Sequence, residues 1–362
     1  MRKKMEQHKI SNDKNGVTRR ILGIKKFFLL LYTLCFTLIL FYTLHLTLLH
    51  SAFKDTGWGT RPVGMGGAFT AVSNDACGIL YNPAGIYQVK YNELNFMYAK
   101  LYTGLDTVDL ETSYVACVFP VKYVGSFGLN WASFISAKQY REDTVSLTYA
   151  RKINDLIKHY FRRKLVPEIS LGLNIKYLQH SYILDNYTVD DPVFVQGKSR
   201  SNITIDFGLF SKPFPKKLSD LSFGIMLKNI NQPDVGLKTR DIVPAEIRIG
   251  GAYKIKKFNV IKNILFSLDV AGRNQQWGKT SDKLNLCFGS EAWFANELIG
   301  LRFGVNSTEL SSGLSIGTPA KIKYNRRVAK LKFKLQLDYA FLWPLEIQET
   351  TGSHRVSMSY KF

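Results

Sequence analysis

The chain has little of what catalytic and metal centres are usually built from. Its four cysteines, Cys35, Cys77, Cys117 and Cys287, stand far apart with no CxxC spacing, which excludes a zinc knuckle and a disulfide framework. Cys35 falls in an N-terminal leader. Cys77, Cys117 and Cys287 are expected to act as small apolar residues, and whether two of them pair is left open by their spacing. Of six histidines only His159, His180 and His354 follow residue 51. None has a metal-ligand partner at i+4, so no metal, cofactor or catalytic residue is assigned. His180-Ser181 lacks the surroundings that activate a nucleophile and reads as a rim histidine. Acidic residues are also scarce, 28 against 49 Lys/Arg, for a net charge of +21. Removing the +7 of residues 1–51 leaves +14 on the remainder. That excess suits nucleic acid or anionic lipid head groups, but no basic helix or aromatic-basic interleaving of a recognised nucleic-acid module appears, so lipid is the expected partner and nucleic acid is not. With a mean hydropathy of −0.08 the chain is not a helical membrane protein on average.

What the chain does have begins with an export pattern. Arg19, Arg20, Lys25 and Lys26 precede the apolar run 27–49, and the small residues Ser51 and Ala52 follow. Basic region, apolar region, small residues is the order of a secretory signal. The run is also long enough to span a bilayer, so an uncleaved anchor is the alternative.

Beyond residue 91 the hydrophobic period is two. Ile169, Leu171, Leu173, Ile175 and Tyr177 alternate with Glu168, Ser170, Gly172, Asn174 and Lys176; Leu335, Leu337, Tyr339 and Phe341 alternate with Lys334, Gln336, Asp338 and Ala340. Segments of this kind start near residues 92, 109, 124, 143, 168, 201, 220, 244, 262, 284, 298, 311, 329 and 354, fourteen in all. Many have the length of a tilted strand crossing a bilayer. Lys176, Asp206, Arg248, Asp269, Arg302, Lys332 and Asp338 lie opposite the apolar faces, which a dry sandwich core would reject and a lumen accepts. The expected fold is all-β: a transmembrane antiparallel β-barrel of about 14 strands, closed because lipid tolerates no unpaired edge.

A barrel of that size is too wide to be filled by its own side chains. Residues 57–90, GWGTRPVGMGGAFTAVSNDACGILYNPAGIYQVK, are glycine-rich and nearly uncharged. They lack the lysine and Ser/Thr of a phosphate-cradling loop. Their small residues, and the turn at Asn82-Pro83, suit a segment threaded through the lumen as a hatch. The expected organisation is an export segment over 1–51, a hatch over 52–91 and a barrel over 92–362.

The stretch RPVGMGGAFTAVSNDACGILYNPAGI resembles the N-terminal signature of the PorV/PorQ family, within the FadL-like group of outer-membrane barrels. The matching residues are Gly64, Gly66, Gly67, Asn74, Asp75, Asn82, Pro83 and Ala84. The C-terminal LDYAFLWPLEIQETTGSHRVSMSYKF resembles the family's last two strands, and its terminal Tyr360 and Phe362 resemble the signal read by the barrel-assembly machinery. The resemblance implies the outer membrane of a Gram-negative-type bacterium. It also implies one of two functions: hatch-gated transport of hydrophobic compounds, or a part in type IX-like secretion with secreted surface proteins as partners. A structural outer-membrane protein is a third reading. The eight hatch residues are then candidates for a transport path, or for turn caps that bond to the wall.

With both ends of an even barrel at one mouth, the connections alternate between mouths. Basic residues, among them Arg151, Lys158, Arg162 and Arg163, gather on the side of the chain ends; Asp106, Asp185, Asp190, Asp234 and Asp241 gather on the other. Ile153, Leu156, Ile157, Tyr160 and Phe161 recur at helical spacing, which predicts a short interfacial helix between Arg151 and Lys164.

Overall fold

The computed structural model describes residues 52–362 apart from 54, 107–108, 154–166, 187, 196, 215–217, 259–260, 275–283, 319–320, 325–326, 331–332 and 348. The export segment, His159, Lys332 and most of the expected interfacial helix lie outside the described residues.

The alternating segments form β1 (Glu93–Thr103), β2 (Leu110–Val121), β3 (Gly125–Ser136), β4 (Tyr140–Lys152), β5 (Glu168–Tyr182), β6 (Ser199–Lys212), β7 (Leu221–Lys228) and β8 (Ala245–Phe258). They continue as β9 (Ile261–Asn274), β10 (Leu284–Phe294), β11 (Ile299–Val305), β12 (Glu309–Gly317), β13 (Lys321–Tyr324), β14 (Arg327–Lys330), β15 (Lys334–Pro344) and β16 (Gly352–Lys361). Fourteen of these close an antiparallel barrel in the order β1-β16-β15-β12-β11-β10-β9-β8-β7-β6-β5-β4-β3-β2, and β13-β14 form a separate two-stranded ladder. The seam is the β1–β16 pair, in register from Glu93↔Lys361 to Lys100↔His354. Closure leaves no edge for lipid to meet.

Register follows from the period-two pattern, because a one-residue slip would turn every apolar side chain inward. In the β15–β16 pair Leu337 faces Met358 and Tyr339 faces Val356, while Asp338 faces Ser357 and Ala340 faces Arg355. The first set is outward, with Leu337 50% exposed, and the second is inward, with Asp338 3% exposed. The same split holds in β5, where Ile175 and Tyr177 face out and Asn174 and Lys176 are buried. The outer wall is thus an apolar belt for lipid, and the chain is an outer-membrane β-barrel.

One boundary differs from the sequence expectation. The thirteenth wall strand starts at Lys334, not near 329. Its neighbours end there: β12 stops at Gly317 opposite Gln336, and β16 stops at Lys361 opposite Lys334. Lys321–Tyr324 and Arg327–Lys330 pair with each other instead.

The β6–β7 ladder is short, running only from Phe207↔Leu227 to Ser211↔Phe223. Beyond it the β7–β8 connection completes the wall. Ile230 N donates to Ile205 O at 3.0 Å, Asn231 Nδ2 to Ile203 O at 2.8 Å and Asn202 Nδ2 to Asp234 O at 2.9 Å.

Candidate functional site

Residues 55–91 form a hatch with two short helices, α1 (Thr60–Gly64) and α2 (Gly78–Tyr81), and a 3-10 turn over Pro83–Gln88. Met65, Ala68, Phe69, Ala76, Ile79 and Ile86 are all fully buried. The hatch touches wall strands all the way round. Tyr114 of β2 donates its hydroxyl to Ala76 O at 3.0 Å, Ser170 of β5 to Ala84 O at 2.9 Å and Ser222 of β7 to Ala71 O at 2.8 Å. Asp269 of β9 accepts from Phe69 N and Thr70 N at 2.9 and 2.8 Å, and Arg355 of β16 donates to Gly57 O at 2.7 Å. A buried segment that meets strands on every side lies in the lumen. Its charged contacts explain why the inward faces carry ions: the lumen is packed with partners rather than left as a water channel.

The wall makes room for this backbone with glycine. A Cβ on Gly172 would overlap the Ala84 nitrogen, on Gly208 the Asn82 Oδ1, on Gly224 the Thr70 carbonyl and on Gly304 the Gly66 nitrogen. On Gly289 it would sit 2.5 Å from the Met65 carbonyl oxygen. Five strands therefore admit the hatch by having no side chain at the contact. Gly66 adds a conformational need of its own, with φ +63° and a Cβ position 2.7 Å from Val305 N.

The residues named from the sequence do not converge on one path. Gly64, Gly66 and Gly67 seat against β8 and β10 to β12. Asn82, Pro83 and Ala84 seat against β5 and β6. Asn82 is fully buried; its Oδ1 caps the 3-10 turn by accepting from Ala84 N at 3.1 Å, and its Nδ2 donates to Thr70 O and Leu209 O at 2.9 and 3.0 Å. Asn74 and Asp75 meet at Arg61, whose Nη1 donates to Asn74 Oδ1 at 2.6 Å and to Asp75 Oδ2 at 2.7 Å. Arg61 also grips Glu291 of β10. Sequence reasoning passed over Arg61, although it is one of few charges between 57 and 90. It also passed over Lys228, Glu246, Arg273, Glu291 and Arg355, which are inward in the period-two pattern and were legible by the criterion that found Lys176 and Arg248.

Strand direction locates the ends of the hatch. Its last residue before β1, Asn92, exchanges both backbone bonds with Phe362 at 3.0 and 3.1 Å. Its first residues lie at the opposite mouth, where β4 begins, β5 and β7 end and β8 begins. There Phe53 N donates to Glu142 Oε1 at 2.8 Å, and Lys228 Nζ meets Asp55 Oδ2 at 3.0 Å. At this far mouth a small cavity of about 70 Å³, partly open to solvent, is lined by the apolar Phe53, Trp58, Leu80 and Leu178 and by the charged Asp55, Glu142, Lys176, Lys228, Glu246 and Arg273. Burial alone would raise the Asp55 pKa, but Lys228, Arg248 and Arg273 outweigh it and hold the carboxyl well below the usual range.

His180 stands two residues from the end of β5, near the far mouth, and is a buried inward residue, 3% exposed. Strand β5 turns it toward the β7–β8 connection, where Nε2 contacts Val235 O at 2.6 Å. Cys77, Cys117 and Cys287 are free thiols, and burial pushes the Cys77 thiol well up, which leaves it unreactive. Among the described residues no group of His, Cys, Asp and Glu has the arrangement of a metal site.

No family model matches the sequence, and no curated protein matches it. Solved structures do. The Ralstonia pickettii toluene transporter TbuX matches at TM-score 0.51 with 13% identity, over 86% of this chain and 99% of that one. A deltaS2S3 mutant of the TodX monoaromatic hydrocarbon channel matches at 0.51 with 12% identity, over 85% and 99%. A Pseudomonas aeruginosa FadL homologue matches at 0.50 with 12% identity, over 84% and 98%. At such identities the likeness is one of fold, and the fold is that of the fourteen-strand, FadL-like outer-membrane barrels.

Proposed function

We propose that the protein is a hatch-gated outer-membrane transport protein for hydrophobic compounds. The observation that carries this reading is a lumen closed by the hatch with a half-apolar cavity left open at the far mouth. With the chain ends on the periplasmic side, that mouth faces outward and receives ligand. Pockets for small ligands combine apolar walls with fixed polar groups; here Phe53, Trp58, Leu80 and Leu178 supply the apolar wall, beside a charged wall of Asp55, Glu142, Lys176, Lys228, Glu246 and Arg273. The fold likeness to proteins described as a toluene transporter and a monoaromatic hydrocarbon channel supports the same reading.

Trp58 lines the cavity and offers the test. Titrating the detergent-purified protein with toluene should change tryptophan fluorescence saturably, and Trp58→Phe should remove most of the change. Outer-membrane vesicles with the protein should take up labelled toluene faster than vesicles without it. Neither binding nor uptake of toluene or a medium-chain fatty acid would end the transport reading.

The glycine seating favours a second reading. A hatch held by side-chain-free contacts on five strands suits a barrel that stays shut and works at its surface, as in the type IX-like secretion that the PorV/PorQ resemblance implies. Under that reading toluene uptake is absent and in-cell crosslinks from the far-mouth connections capture secreted surface proteins.

A further inference from the structure

The ion pairs around the far-mouth cavity leave one wall carboxylate unused. Lys228 Nζ meets Asp55 Oδ2 at 3.0 Å and Glu246 Oε1 at 3.6 Å, and Arg273 Nε meets Glu246 Oε2 at 2.8 Å. Arg248, behind them, reaches Asp55 at 3.6 Å, Glu246 at 3.5 Å and Asp269 at 3.8 Å. Lys176 Nζ is held by Asp206 Oδ1 and Asn229 Oδ1, both at 2.7 Å. Lys228, Arg248 and Arg273 thus balance Asp55, Glu246 and Asp269, and Lys176 balances Asp206. Glu142 also lines the cavity and stands outside this account. Its Oε1 accepts from Phe53 N at 2.8 Å and from the Tyr140 hydroxyl at 2.6 Å. Among the described residues its Oε2 has no donor, and no lysine or arginine pairs with it.

A half-buried carboxylate without a cation carries a desolvation cost that a positive ligand relieves. An ammonium group brings the charge together with N–H donors. Trp58 lines the same cavity, and an indole attracts cations at its ring face. Phe53, Leu80 and Leu178 complete an apolar wall for the rest of such a ligand. An anionic ligand meets the opposite situation. It would have to draw Lys176, Lys228 or Arg273 away from the carboxylates that hold them, and each buried acid so deserted is costly.

We propose that the cavity takes small hydrophobic amines in their protonated form, with the ammonium on Glu142 Oε2 and the aryl or alkyl body against Phe53, Trp58 and Leu178. The inference rests on the transport reading and narrows its substrate class from hydrophobic compounds to hydrophobic cations. The balanced pairs hold the hatch and the wall together, while Glu142 reads the charge of the ligand.

Three probes of nearly equal size test this on the protein purified in non-ionic detergent at pH 7, with tryptophan fluorescence as the readout: benzylammonium, its uncharged isostere ethylbenzene, and the anion phenylacetate. Benzylammonium should bind roughly tenfold or more tightly than either, the factor that one hydrogen bond to a charged group supplies. Glu142→Gln keeps an oxygen for Phe53 N and the Tyr140 hydroxyl, so the gel shift on boiling should stay. Its preference for benzylammonium over ethylbenzene should shrink to about twofold or less. Lys54 is next to Phe53 in the sequence and lies outside the described residues; Lys54→Gln should keep the wild-type preference. A preference that appears only in Lys54→Gln overturns the proposal, because the chain's own lysine then occupies Glu142. Equal binding of benzylammonium and ethylbenzene, or a preference that survives Glu142→Gln, overturns it and leaves the transport reading in place. Binding of none of the three overturns it as well, and toluene then decides the transport reading by itself.

Discussion

Arg61 of the hatch and Glu291 of β10 form a two-point pair, Nε to Oε2 at 2.7 Å and Nη2 to Oε1 at 2.7 Å, across 230 residues of sequence. Glu291 is held on its other side by Arg302, Nε to Oε2 at 2.7 Å. Removing one partner of a buried pair costs about 3–5 kcal/mol where the other charge is left uncompensated; Arg302 still compensates Glu291, so the loss of Arg61 should cost less than that. Arg61→Ala should therefore loosen the near half of the hatch. Single-channel recordings in planar bilayers should show larger conductance than wild type, while the boiled-versus-unboiled gel shift stays. Arg61→Lys keeps the charge but loses the fork, and should fall between.

Deleting residues 57–90 should raise conductance further with the barrel intact. Asn82→Ala breaks the turn cap and two bonds to Thr70 and Leu209, at about 1–3 kcal/mol for the groups left unpaired, so its rise should be smaller. A deletion that conducts no more than wild type would show that the segment does not plug the lumen.

The glycine seats predict a positional contrast. Gly172→Val and Gly304→Val place side chains where the hatch backbone runs, and should release the hatch to limited proteolysis. Gly251→Ala meets only the outward Phe223 ring at 3.6 Å and should leave proteolysis unchanged. Equal sensitivity in all three would show that the wall tolerates side chains at the seats.

The pH dependence follows from Asp55. Its carboxyl is held below the ordinary value of about 3.9, so its pairing with Lys228 contributes stability that is complete above that value and is lost as pH falls through the lower folded one. Hydrogen exchange at residues 55–60 should be flat in protection from pH 8 to 5, after correction for intrinsic rates, and weaken only below pH 4. Asp55→Asn should weaken it at every pH.

Assembly offers a further test. Phe362 stacks on Tyr360 at 5.3 Å and its backbone pairs with Asn92. Phe362→Ala should deplete the protein from the outer membrane several-fold on immunoblots, and an undiminished level would show that the terminal aromatic is not needed for assembly.

The wall was legible because its physics is local and periodic. Ile175 and Asn174 reveal their faces by alternation alone, and so do Leu337 and Asp338. The hatch was legible as a segment, since glycines and Asn82-Pro83 mark a backbone under steric demand. What the hatch residues do was not legible. Whether Asn82 caps a turn, bonds the wall or lines a path depends on Leu209, 127 residues away, and no period links the two. Arg61 was missed for the same reason, as its partner Glu291 is identified only by closure of the barrel. The start of β15 was misplaced because alternation continues past the point where β12 and β16 stop supplying hydrogen bonds.

The hatch is the first part of the barrel to be synthesised and the last to be satisfied. Arg355 reaches Gly57 across 298 residues and Arg61 waits for Glu291, so the segment does not have all of its partners until the final strands exist. Contacts of such span fix little until the intervening chain is ordered, which makes them slow to form. The wall in turn needs the hatch, since the inward glycines of β5, β6, β7, β10 and β11 have no side chains with which to fill the space. Circumference and filling are therefore reached together: the strands close around the hatch as around a mandrel, and a chain cut short before β16 loses its interior along with its last strand.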